Sequence, residues 1–208
     1  MKLWSDSFTD GGKIPETFGF GKYHPEKHSV FSDNKNPHLA WSDLPPRTRS
    51  LVLICHDSDV PSVFDDAEQE GKIVSASLPR IDSYHWVLVD LSPDIQSITA
   101  GEFSDGVIKG GKNGPEAPLG TRQGINDYGE GYVDDPEMAG DYFGYDGPYP
   151  PWNDEKIHHY HFTLYATDLD RCPVEGIFTA TDVLEAIEGH VLETASLTGT
   201  YQIYPDAE

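Results

Sequence analysis

The chain has 208 residues, of which 36 are acidic and 14 are basic, and its formal net charge is -22. Nucleic acids and anionic membrane surfaces are bound through clustered Lys and Arg, so this charge argues against both as partners. No apolar run approaches the roughly 20 residues of a membrane span and no signal-peptide pattern opens the chain, so we expect one cytoplasmic domain over residues 1–208.

The pattern of apolar residues favours strands over helices along most of the chain. Gly and Pro interrupt the sequence at short intervals, as is typical of all-β folds. The predicted strands, in chain order, are 3–8, 38–42, 50–55, 84–91, 106–109, 158–167 and 196–203. One helix is predicted from about 180 to about 193, because Thr179 and Asp182 resemble a capping box and apolar residues then recur at helical spacing.

Acidic residues follow the apolar strand 50–55, which we expect to be buried on both faces and to end where the acids begin. Carboxylates are costly to desolvate unless they are hydrogen-bonded or face a polar ligand, so Asp57 and Asp59 indicate the rim of a pocket. Side chains alternate along a strand, which places His158 and Tyr160 on one face and His159 on the other. The sequence therefore predicts a polar site at a strand end.

Several motifs follow one another in a fixed order along nearly the whole chain. They are NPHLAW at 36–41, HDSDVP at 56–61, HWV at 85–87, YDGPYPP at 145–151, HHYHF at 158–162, EGHVL at 188–192 and LTGTY at 197–201. Together they resemble the phosphatidylethanolamine-binding protein family, above all its bacterial and archaeal branch, which is often described as Raf-kinase-inhibitor-like. The resemblance implies an all-β fold, a β-sandwich of two antiparallel sheets with a C-terminal helix.

The resemblance also implies a small pocket for anionic groups, such as the phosphate of a phospholipid head group. Carried over by motif, its ligand-binding residues would be Asp57, Asp59, His85, Asp146, Gly147, His158 and Tyr160. A protonated imidazole and a phenol can donate hydrogen bonds to phosphate oxygens, while a carboxylate can keep a histidine charged. His159 stands where the family usually has Arg, and Tyr149 replaces a family cysteine.

We therefore expect a ligand-binding protein without cofactor or metal, whose partner is a small anion or a phospholipid head group. A kinase or protease client that it inhibits is an analogy with the family name. The same residues have other readings: a self-satisfied polar cluster, a metal site of Asp and His, or a hydrolase or lyase for a small phosphorylated substrate. We expect Cys55 and Cys172 to be core thiols and not nucleophiles, and we assign no residue a catalytic role.

Overall fold

The computed structural model describes residues 1–207 and consists mainly of strands. The strands are β1 (Lys2–Trp4), β2 (Gly21–His24), β3 (His28–Phe31), β4 (Leu39–Ser42), β5 (Ser50–Pro61), β6 (Arg80–Leu91), β7 (Ser97–Ile98), β8 (Arg122–Gln123), β9 (His158–Thr167) and β10 (Val191–Tyr201). The α-helices are α1 (Tyr128–Gly131) and α2 (Ala180–Ala186), and short 3-10 helices lie at Glu16–Phe18 and Pro118–Gly120. Across residues 1–207, no helix combines the length and the apolar character that crossing a membrane would need.

Antiparallel pairing organises the strands into a large sheet, a small sheet and a hairpin. The large sheet has the order β10-β9-β5-β6-β8, the small sheet has the order β1-β4-β7, and β2 pairs with β3. In the middle of the large sheet Cys55 lies opposite Trp86 on one neighbour and Phe162 on the other. The all-β class that the sequence predicts is confirmed.

The two faces of β5 are buried against different neighbours. Leu53 and Cys55 belong to a core that also takes Trp41 and Ile98 from the small sheet. The alternate residues Val52 and Ile54 pack on the other face, in a cluster that includes Val183 of α2. Burying an apolar side chain of this size contributes about 1.5–3 kcal/mol, so burial on both faces anchors β5 firmly in the middle of the large sheet. Because the large and the small sheet contribute to the same core, we interpret the fold as a sandwich of two sheets.

Helix α2 begins as predicted but is shorter than predicted. Thr179 and Asp182 form both halves of a capping box, which fixes the first turn. The helix ends at Ala186, because Gly189 adopts a left-handed φ of 78° and turns the chain into β10. The predicted extent to residue 193 is therefore wrong, since Val191 belongs to the large sheet.

Other predicted boundaries also differ from the structure. Strand β5 does not stop at residue 55 but continues through the acids to Pro61, with register irregularities after Cys55 and after Asp57. The strand predicted at 106–109 does not form, because left-handed Gly106 and Gly110 break the extended backbone there. The sequence pattern missed the β2–β3 hairpin entirely, since its residues alternate only weakly between apolar and polar.

Candidate functional site

Strand pairing brings four of the predicted site residues together at one end of the large sheet. Asp57 of β5 lies opposite Tyr160 of β9, and His158 follows two residues away on the same strand face. The ring of His85 from β6 lies 5.2 Å from that of Tyr160, edge to face. These four residues are at most 6% exposed. Polar groups at such burial need hydrogen-bond partners, and those partners decide what the site can do.

Both ring nitrogens of His158 are held by carboxylates. Nδ1 lies 2.6 Å from Oδ2 of Asp57, and Nε2 lies 3.1 Å from Oδ2 of Asp154. A neutral imidazole has only one N–H donor, so this arrangement requires the imidazolium. Burial opposes the charge, but the two carboxylates prevail and raise the pKa of His158 to about 9. His158 is thus a cation whose ring nitrogens are already bonded within the protein.

Asp154 and Arg80 complete this arrangement, and sequence reasoning missed both. Arg80 donates from Nη1 to Oδ2 of Asp154 at 2.6 Å and from Nη2 to Oδ1 at 3.0 Å. Burial raises the pKa of Asp154, but the hydrogen bonds from His158 and Arg80 outweigh it and lower the pKa overall. We call Asp57, His158, Asp154 and Arg80 the buried charge chain. At neutral pH its two anions and two cations cancel.

Asp59 anchors the end of β5 to the start of β9. Its Oδ2 accepts from the backbone N–H of His159 at 2.9 Å and lies 2.8 Å from the ring Nδ1 of the same residue, while Lys156 Nζ lies 3.2 Å from Oδ1. Burial works against the charge, but these donors lower the pKa of Asp59. Its backbone N–H donates to Oδ1 of Asp57 at 2.7 Å, which links the two acids. His159 thus holds Asp59 through both its backbone N–H and its ring.

The carboxylate of Asp146 is saturated by donors from three other segments. It accepts from Asn34 at 2.8 Å, from Lys112 at 2.6 Å and from Asn126 at 2.8 Å. Its backbone carbonyl lies 2.8 Å from Nδ1 of His85, which fixes that ring. The next residue, Gly147, has no room for a side chain, because a Cβ would lie 2.0 Å from the carbonyl oxygen of Phe18. Asp146 and Gly147 therefore form a backbone wall beside His85.

Within residues 1–207, three polar atoms of the site have no hydrogen-bond partner: the Tyr160 hydroxyl, Nε of Arg80 and Nε2 of His85. The Tyr160 hydroxyl is buried and makes no hydrogen bond within residues 1–207. Burial first, and then the neighbouring Asp57 carboxylate, through its charge and a weak interaction with the hydroxyl that falls short of hydrogen-bond geometry, raise its pKa, so Tyr160 keeps its proton. Nδ1–H of His85 donates to the carbonyl oxygen of Asp146, so Nε2 is the ring nitrogen that can still bond to a ligand. Tyr128 also packs edge-on against His85, with the ring centroids 5.3 Å apart.

Other features of the molecule lie apart from this site. A cavity of about 620 Å³ opens beside the small sheet, where Trp4, His38 and Asp43 are among its lining residues. It shares no residue with the predicted site. Within residues 1–207, no three His, Cys, Asp or Glu side chains are grouped in a way that could hold a metal ion. At the predicted site, the Tyr160 hydroxyl and Nε2 of His85 are the groups that could bond to a ligand.

Comparison with known proteins points to one family. The profile of the phosphatidylethanolamine-binding protein family matches residues 4–202. A UPF0098 protein of Chlamydia muridarum is 33% identical over 187 residues, which cover 90% of this chain and 95% of the relative. A UPF0098 protein of Methanothermobacter thermautotrophicus is 32% identical over 204 residues, covering 97% and 99%.

Solved structures agree with this assignment. The phosphatidylethanolamine-binding protein homologue CT736 of Chlamydia trachomatis superposes with a TM-score of 0.64 at 27% identity, over 97% of this chain and 96% of that chain. YbcL of E. coli, described as a new member of the mammalian PEBP family, shares the fold with a TM-score of 0.67 at 22% identity over 97% of both chains. Profile, relatives and fold coincide over almost the full length, and the chain belongs to the phosphatidylethanolamine-binding protein family, in its bacterial and archaeal branch.

Proposed function

We propose that the protein binds a small oxyanion, a free phosphate or the phosphate of a phospholipid head group, at the Tyr160 hydroxyl and Nε2 of His85. The observation that carries the proposal is the buried Tyr160 hydroxyl without a partner. Leaving a buried donor unsatisfied costs about 1–3 kcal/mol, and a ligand oxygen that accepts from it removes this cost. A second donor, His85 Nε2–H, is present whenever the imidazole is protonated.

The local charges support an anionic ligand although the whole chain carries a charge of -22. An oxyanion beside Tyr160 comes close to the carboxylate of Asp57, which by itself would repel it. The imidazolium of His158 lies 2.6 Å from that carboxylate and compensates its charge. Lys112 likewise compensates Asp146. Membership of a family described as phosphatidylethanolamine-binding supports a phosphate-bearing ligand in particular.

Calorimetric titration with inorganic phosphate and with phosphoethanolamine tests the proposal on paired tyrosine variants. Tyr160→Phe removes a hydroxyl that makes no well-formed hydrogen bond in the protein, so we expect nearly unchanged thermal stability and about 10- to 100-fold weaker binding, the range of a hydrogen bond to a charged group. Tyr201→Phe is the matched control, because its buried hydroxyl donates to the Gly21 carbonyl at 2.8 Å. It should lose about 1–3 kcal/mol of stability with unchanged affinity.

The result that would contradict the proposal is a Tyr160→Phe protein that binds both compounds as tightly as the wild type. Binding of phosphoethanolamine without binding of phosphate would show that the head-group amine, and not the oxyanion, is recognised. Both outcomes leave the folded protein intact, so neither can be attributed to misfolding.

The alternative function is that of a hydrolase or lyase for a small phosphorylated substrate. One observation favours it: Nε2 of His85 is an imidazole nitrogen without a protein partner, as a general base needs to be. His158 is unsuited to that role, because both its nitrogens are bonded to carboxylates. Turnover of a phosphoester that stops in His85→Gln would establish the enzyme, whereas binding without turnover across a phosphoester panel would favour the binding protein. A kinase or protease client remains an expectation from the family resemblance.

A further inference from the structure

We infer that Asp154 and Arg80 are positioning residues that hold His158 as an imidazolium and thereby allow an oxyanion to bind beside Asp57. The inference rests on the proposed function for its ligand. Among the hydrogen bonds of residues 1–207, Asp154 and Arg80 bond to neither Tyr160 nor His85, so each acts through its neighbour in the buried charge chain. Sequence motifs gave no indication of this role.

The ring of His158 lies between two carboxylates. Carboxylate oxygens lie on both sides of the ring, from Asp57 of β5 and from Asp154 of the loop before β9. The two side chains are 2% and 1% exposed, so water does not provide alternative partners. Two acceptors on one imidazole require two N–H groups, and only the protonated ring has both. Removing the charge on Asp154 would leave Asp57 alone to hold the proton.

Arg80 compensates the negative charge of Asp154. A carboxylate buried beside a second carboxylate is costly unless a cation compensates it. Arg80 supplies two hydrogen bonds to Asp154, and two more from its guanidinium to the carbonyls of Asp59 and Ser75 fix its position. Its side chain is 8% exposed. Asp154 is thus kept ionised and aimed at Nε2 of His158.

The charge of His158 offsets that of Asp57 beside the proposed ligand position. The charged groups that face His158 are Asp57 and Asp154, with Arg80 behind Asp154. Tyr160 lies on the same strand face and keeps its proton. If His158 becomes neutral, Asp57 regains an uncompensated negative charge next to the proposed ligand position. Oxyanion binding should therefore be lost at the pH at which His158 loses its proton.

The experiment follows two quantities against pH in the full chain: the ¹⁵N imidazole shifts of His158 and the affinity for inorganic phosphate. In the wild type we expect the His158 shifts to change with a midpoint at about pH 9, and the affinity to fall in a step with that same midpoint, in addition to the loss of the Nε2–H donor when His85 deprotonates. In Asp154→Asn both midpoints should move down together, so that affinity is reduced by about tenfold per unit of pKa at alkaline pH and is restored at about pH 6. Asp168→Asn is the control, because Asp168 holds the exposed His190 at 2.9 Å in a similar pair.

Three results would overturn the inference. One is a His158 midpoint that does not move in Asp154→Asn. Another is a midpoint that moves while the phosphate affinity keeps its pH profile. The last is a wild-type phosphate affinity that stays constant over the pH range in which His158 loses its proton. This result can be obtained even if the variant does not fold. A wild type that binds no phosphate at any pH instead refutes the proposed function, and the His158 midpoints still show whether Asp154 holds the proton.

Discussion

Asp57 holds two donors at once, which predicts that Asp57→Asn destabilises the fold. Its Oδ2 faces Nδ1 of His158 at 2.6 Å, and its Oδ1 accepts the backbone N–H of Asp59 at 2.7 Å. An asparagine has a single acceptor oxygen, so its amide NH₂ must face one of these two N–H donors. The substitution also leaves the imidazolium of His158 with only one carboxylate.

These contacts set the free energy of unfolding that Asp57→Asn loses. One hydrogen bond to a charged group is worth about 1.5–3 kcal/mol, and breaking a buried ion pair costs about 3–5 kcal/mol, which includes that hydrogen bond. We take about 3 kcal/mol, because Asp154 still supports His158. For a chain of this length each kcal/mol shifts the melting temperature by about 2–4 °C, so Asp57→Asn should melt about 6–12 °C below the wild type.

Differential scanning calorimetry at neutral pH measures this shift, with Asp168→Asn as the comparison. That exposed pair contributes little, and its loss should change stability by no more than about 0.5 kcal/mol. If Asp57→Asn melts within about 2 °C of the wild type, the double role of Asp57 is refuted. The carboxylate would then be a free pocket acid and not an anchor.

Three further predictions follow from burial and local geometry. The folded-state pKa of His158 is about 9 against an unfolded value near 6.5, so its contribution to stability is complete below about pH 6.5 and is lost as pH rises through about 9, which melting curves between these values will show. Gly147→Ala should lower the melting temperature by several degrees, because its Cβ would collide with a backbone carbonyl at 2.0 Å, whereas Gly131→Ala meets no atom within 4 Å and should be tolerated. Burial raises the pKa of Cys55 and raises that of Cys172 to about 11, so neither thiol should react with a disulfide reagent at neutral pH until the protein is unfolded.

Strand periodicity predicted much of the fold and part of the site. Alternation along β9 correctly placed His158 and Tyr160 on one face, and the capping box at Thr179 correctly marked the start of α2. The end of α2 could not be derived, because the apolar spacing continues past Gly189 into residues that pair in a sheet instead. Strand β5 runs on through Asp57, since hydrogen bonds within the protein satisfy the acid that was expected to end it.

The buried charge chain shows where sequence reasoning stops. Asp154 lies in a loop and Arg80 at the first residue of β6, and neither position shows a pattern of alternation. They meet because Val74 pairs with Asp154 in an isolated bridge, which brings the 62–79 connection against the loop before β9. Only the folded chain shows that both nitrogens of His158 are already bonded. For this reason we propose ligand contact for His85 and Tyr160 and a supporting role for His158.

The most direct test of the proposed oxyanion site is the ¹⁵N resonance of His85 Nε2 during a titration with inorganic phosphate. We predict that this resonance moves and saturates with the same dissociation constant that calorimetry gives for the whole protein. The ring nitrogens of His158, bonded to Asp57 and Asp154, should shift much less. Saturable phosphate binding that leaves His85 Nε2 unmoved, or that moves histidines elsewhere on the chain, would contradict the assignment of the ligand to this site.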